Sequence, residues 1–155
     1  MSRTRARRLA RKRAVQALYS WDLSQVNPDD IEQQFLLDQN MKDVDLSYFR
    51  ELLHEVTGHL DEIDQHITPK LDRPFKEVDP VECAVMRLAV YELLYRPDVP
   101  YRVVINEAIE LAKIFGAEDG FKYVNSIVDN LAKELRTPEV NAARRPSSKS
   151  TPKKP

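Results

Sequence analysis

The 155-residue chain carries 24 Lys plus Arg against 25 Asp plus Glu, and its formal charge of −1 conceals a lopsided distribution. Residues 1–13 hold seven bases and no acid, residues 144–155 hold five bases and no acid, and the body between them is left with twelve bases against twenty-five acids, a net charge of −13. Three glycines with no GxGxxG or GxxxxGK[ST] string exclude a glycine-rich phosphate cradle, a lone cysteine excludes a disulfide frame or a CxxC knuckle, and no stretch approaches the ~20 apolar residues that cross a bilayer.

Apolar spacing near 3.6 recurs along the chain, whereas strict alternation between turn signals does not, which predicts an all-α fold. A first helix spans about residues 5–23. On a wheel at about 100° per residue, Ala10, Ala14, Ala17, Leu18 and Trp21 share a core arc, while Arg8, Lys12, Val15 and Tyr19 lie on the far side. Asn27 and Pro28 supply a cap and a first-turn proline for a second helix holding Ile31, Phe35 and Leu36. The third reads as one long helix from Asp45 to Ile67, its apolar spacing running on through Gly58.

Asp79, Pro80 and Glu82 occupy the N-cap, N1 and N3 positions of a capping box, opening a helix to Tyr95 that is apolar on nearly every side and is therefore the central one. After Pro97 and Pro100, residues Val104, Ala108, Leu111, Ala112 and Phe115 trace one face of a fifth helix that stops at Gly116. Asp119 reads as the cap of a last helix, whose stripe is Phe121, Val124, Ile127, Val128, Leu131 and Leu135. Residues 1–136 thus form the helical unit. Residues 137–155, with four of the ten prolines and five bases, read as a disordered basic tail.

Catalytic constellations are hard to find. The string His54-Glu55-Val56-Thr57-Gly58-His59 differs from HExxH in placing its second histidine five residues on, about 140° around the helix, so no metal site is expected there or at His66. Cys83 sits in an apolar run with no base beside it in sequence and reads as a small buried hydrophobe. Neither an enzyme signature nor a cofactor site emerges. A basic start that leads into no apolar signal segment, together with the single cysteine, places the chain in the cytoplasm.

The bases are more informative. Arg3, Arg5, Arg7, Arg8, Arg11 and Arg13, with Lys12, gather at one end, and the planar fork of arginine suits phosphate bidentately and stacks on bases, which predicts nucleic-acid contact without choosing RNA over DNA. Tyr19 on the outward face of the first helix reads either as a partner contact or as one of the exposed apolar residues common on soluble proteins. Tyr123 lies just off the last helix's stripe, either as peripheral core or as a stacking platform, with Lys122 beside it to hold a phosphate.

The strings AVQALYSW (residues 14–21), VPYRVVINEAIELAK (99–113) and FGAEDGFKYVN (115–125) closely resemble the NusB family of bacterial transcription antitermination proteins, and with the helix pattern the resemblance covers about residues 5–136. It implies an all-α fold of two three-helix bundles, a longer central helix in the second, and no enzymatic activity. It further implies binding to the single-stranded boxA element of nascent RNA, notably of ribosomal RNA operons, in complex with the small-subunit ribosomal protein NusE. Other Nus factors and RNA polymerase are the implied further partners, with no membrane involved. Carried over by position, Arg7, Arg8, Arg11, Asp119, Lys122, Tyr123 and Asn125 should face RNA, and Tyr19 and Glu82 the ribosomal protein. Glu82 competes with its own reading as a capping-box residue. Ribosomal proteins are usually basic, which suits the −13 body. The alternative reading is an RNA-binding helical adaptor acting with a ribosomal RNA methyltransferase, since cytosine methyltransferases of that kind carry a similar domain; no catalytic domain follows it in this chain. A purely structural adaptor would leave the arginine cluster unexplained.

Overall fold

Short polar side chains fix where the helices begin. Ser2, Asn27, Asp45 and Asp79 accept hydrogen bonds from the N–H groups of Arg5, Asp29, Tyr48 and Val81 at 3.1, 2.8, 3.0 and 2.8 Å, satisfying donors that a helix start leaves free. Pro28 and Pro80 follow two of these caps at the first helical position. The computed structural model describes residues 2–144, which form eight α-helices: α1 Arg3–Ser24, α2 Pro28–Asp38, α3 Leu46–Gly58, α4 Leu60–Ile67, α5 Pro80–Tyr95, α6 Tyr101–Phe115, α7 Gly120–Leu135 and α8 Thr137–Arg144. Two short 3₁₀ turns, Thr68–Lys70 and Phe75–Glu77, link α4 to α5, and no strand occurs among the described residues.

Two three-helix bundles result. α1, α2 and α3 enclose Ile31, Phe35, Phe49, Leu52 and Leu53; α5, α6 and α7 enclose Val85, Leu88, Ala108, Val124, Val128 and Leu131. The bundles meet where α1 packs on α5, and the fully buried Ala10, Ala14 and Ala17 let the backbones approach closely. α5 is buried along most of its length, as its all-round apolarity predicts.

Three expectations about the helices need correction. The long third helix is two. The chain leaves helical angles at His59 (φ −115°, ψ 27°), after Gly58 and after Thr57, whose hydroxyl donates back to the carbonyls of Leu53 and His54. The apolar spacing runs through the break because Val56, Ile63 and Ile67 enter the same core. Val15, placed on an outward face by the wheel, is buried, because α1 packs against α2, α3, α5 and α6 and so has more than one inner side.

The third correction concerns the tail. Residues 137–144 form α8 instead of disordered chain, while the rest of that expectation, residues 145–155, lies outside the described residues. Val140 is buried, and Arg136 donates to the carbonyls of Leu93, Glu92 and Arg96 at 2.8, 3.1 and 2.9 Å, satisfying acceptors freed where α5 ends. Glu139 accepts the Tyr101 N–H at 2.9 Å and an Arg136 N–H at 2.7 Å, tying α8 to the start of α6. Burial alone would raise its pKa, but these two donors outweigh it and hold the carboxyl below the ordinary 4.5.

A depressed carboxylate stabilises the fold fully above its unfolded value and loses that contribution as pH falls through the folded one. Glu139→Gln should therefore be less stable than the parent at pH 7, with the two urea midpoints converging as pH drops below 4.5. A gap that stays constant with pH would show that the charge of Glu139 contributes nothing.

Candidate nucleic-acid interface

The N-terminal half of α1 divides its arginines by face. Arg3, Arg5 and Arg8 are exposed; the Arg8 side chain keeps 64% of its surface in solvent while its Nε donates to Glu107 on α6 at 2.9 Å. Arg11, expected to face RNA, is instead an interior residue with 5% of its side chain exposed. Its Nε donates to Glu92 at 2.9 Å, its Nη1 lies 3.7 Å from Glu107, and the Tyr48 hydroxyl donates to the same Glu92 oxygen. Burial pulls the Arg11 pKa down, yet Glu92 and Tyr48 more than offset it and the guanidinium stays charged. Burial pushes Glu92 upward against the opposing pull of Arg11.

Arg7 also turns inward. Its guanidinium lies over the Tyr48 ring, 4.4 Å from the centroid, and 3.6 Å from Asp98. Residues 7, 11, 14 and 18 fall on one helical stripe, so Arg7 and Arg11 continue the Ala14–Leu18 core face toward the N-terminus. That spacing was the signal for their burial. The charge run masked it.

The second group gathers where α6 ends and α7 begins. Asp119 takes a left-handed conformation (φ 65°) and its side chain makes no capping bond, contrary to its expected role. Positive φ, which Asp tolerates better than most residues, serves the tight turn in which the Gly120 N–H bonds the Ala117 carbonyl at 2.9 Å. The carboxylate instead lies 3.6 Å from the exposed Lys122 ammonium. Asn125 is exposed, and Tyr123 is half-buried, its hydroxyl donating to Asp72 at 3.0 Å. Arg73, which no pattern in the sequence pointed to, lies over the Tyr123 ring 4.6 Å from its centroid. Asp119, Lys122, Tyr123 and Asn125 thus share one end of the second bundle. Arg8 sits beside Glu107, about 13 Å back along α6 from its Gly116 end.

The two residues expected to meet a protein differ in access. Tyr19 is 37% exposed on the rim of a groove of about 510 Å³ lined also by Val15, Phe35, Val81 and Phe115. Glu82, expected either to face the ribosomal protein or to close a capping box, is only 6% exposed and packs on Gly120, where any Cβ would collide with it, instead of turning back to the Asp79 amide. Burial and the nearby Asp79 raise its pKa against the opposing pull of Arg73.

Elsewhere the candidate chemistry is occupied. His54 pairs with Glu32 at 2.6 Å and His59 packs on the Tyr95 ring at 4.7 Å, and the described residues contain no group of three or more His, Cys, Asp or Glu able to hold a metal. Cys83 is buried, and burial pushes its thiol up to about 12. No helix among the described residues is long and apolar enough to cross a membrane.

Residues 8–133 match the NusB family. The chain is 61% identical to the transcription antitermination protein NusB of Shewanella piezotolerans over 125 residues, 81% of this chain and 93% of the relative. It is 51% identical to that of Pseudomonas entomophila over 144 residues, 93% of this chain and 87% of the relative. The solved structure of T. maritima NusB superposes with a TM-score of 0.69 at 34% identity, covering 82% of this chain and 91% of that one.

Proposed function

The chain belongs to the NusB family of transcription antitermination proteins, and we propose that in the cytoplasm it binds single-stranded boxA RNA of nascent ribosomal transcripts together with the ribosomal protein NusE, joining other Nus factors on RNA polymerase. The observation that carries this reading is the exposed basic face of α1, where Arg3, Arg5 and Arg8 stand in solvent with no acid among the first 13 residues. Arg3, Arg5 and Arg8 reach phosphates from a rigid helix, while Arg7 and Arg11 anchor that helix to the core. Lys122, Tyr123, Asn125 and Arg73 take the strand further along, with Tyr123 able to stack a base. Asp119 opposes phosphate there and favours the strand's base edges. Tyr19 and its groove receive NusE, the second bundle supplying acidic surface.

Labelled boxA RNA titrated with the protein, alone and with NusE, tests this reading. Affinity should rise when NusE is present and fall for a scrambled RNA; equal affinity for both sequences under both conditions would contradict it. Tyr19→Ala should leave stability within ~0.5 kcal/mol, since the side chain stands at a rim, yet weaken NusE binding several-fold. A large drop in melting temperature with NusE binding intact would show Tyr19 to be a packing residue.

A further inference from the structure

A second cleft, of about 550 Å³, opens between the N-terminal half of α1 and α6. Leu9, Leu111 and Ile114 supply its apolar lining, and Ile114 stands 55% exposed. Arg5, Arg8 and Lys12 give the α1 wall its positive charge. On the α6 wall Glu107 is committed, taking the Arg8 Nε at 2.9 Å and facing Arg11 at 3.7 Å. Glu110, one turn on, is not; its cation neighbour is Lys113 at 3.8 Å, an exposed pair of the kind worth little.

A cleft with bases along one wall and apolar side chains beside them suits a nucleobase, the ring against Leu9 and Ile114 and its phosphates on the guanidiniums. The Glu110 carboxylate, held only by its weak exposed pairing with Lys113, repels those phosphates, so its favourable use is toward a donor edge. Guanine presents N1–H and the N2 amino group side by side, matching the two oxygens of a carboxylate, whereas uracil presents one N–H between two carbonyl oxygens. Cytosine and adenine offer a single amino group beside an acceptor.

We infer that the α1–α6 cleft is a base-reading pocket in which Glu110 accepts from the Watson–Crick edge of guanine. This rests on the reading of α1 as an RNA-binding helix. Arg5 and Arg8 hold backbone and carry no preference, while Glu110 sets which base is retained.

The test compares two 12-nucleotide RNAs, all uridine and the same with one central guanosine, by fluorescence anisotropy on the full chain. Wild type should prefer the guanosine strand by about tenfold, within the range of one bidentate contact. Glu110→Gln should erase that preference while binding the all-uridine strand no more weakly, one opposing charge being gone. Arg8→Ala should weaken both strands alike and keep the ratio. Equal binding of the two strands by wild type, or a preference that survives Glu110→Gln, would overturn the pocket and leave the RNA-binding reading standing. Binding of neither strand would overturn both.

Discussion

Arg11→Ala should destabilise the protein by about 3 to 5 kcal/mol, the usual consequence of removing one partner from a buried ion pair. The substitution leaves Glu92, 1% exposed, facing Tyr48 alone with no cation to balance it, and opens space where α1, α3 and α5 meet. For a chain of this length each kcal/mol shifts the midpoint by roughly 2 to 4 °C, so thermal unfolding should move down by about 10 °C. Any accompanying loss of RNA affinity would come through a loosened α1. Replacing Arg11 and Glu92 together by methionine and leucine should recover much of the loss, because a well-packed apolar pair can match a buried ionic one. A midpoint within about 2 °C of the parent for Arg11→Ala alone would show that Arg11 is as free to leave the core as a surface residue.

Replacing Arg3, Arg5 and Arg8 together should have the opposite signature. These side chains are exposed, so stability should change little beyond the single Arg8–Glu107 bond. RNA affinity should fall by roughly 50-fold near 0.15 M salt, the effect of losing about three phosphate contacts from a single strand. The pair of results separates an arginine that builds the platform from one that uses it.

Most of the fold was legible because it rests on local signals. Asn27, Asp45 and Asp79 announce helix starts, Gly116 announces a stop, and the all-round apolarity of residues 81–93 marks the central helix. What could not be read depends on contacts between distant residues. α8 forms because Arg136 finds the carbonyls that end α5 and Glu139 finds the Tyr101 amide, partners about 40 residues away in sequence. The break at His59 is invisible to periodicity because both halves keep their apolar side on one core.

At the candidate interface the same division holds. The basic start of α1 was plain in composition, and Tyr19 is exposed, as the wheel placed it. The burial of Arg11 follows from spacing and not from charge, since positions 7, 11, 14 and 18 form one stripe. Glu82 fits a capping box in sequence but finds room beside Gly120, a choice made only once α7 packs against α5. Arg73 reaches Tyr123 across 50 residues of chain, from a link between two 3₁₀ turns that carries no periodic signal.

The measurement that bears most directly on the basic face of α1 is the salt dependence of RNA binding, with parent and Arg3/Arg5/Arg8→Ala titrated side by side from low to moderate salt. With about five phosphates contacted, the logarithm of the parent's binding constant should fall against log salt with a slope of roughly −3 to −4, and the variant's slope should be shallower by about 2. An unchanged slope in a variant that melts with the parent would contradict the assignment of RNA to this face.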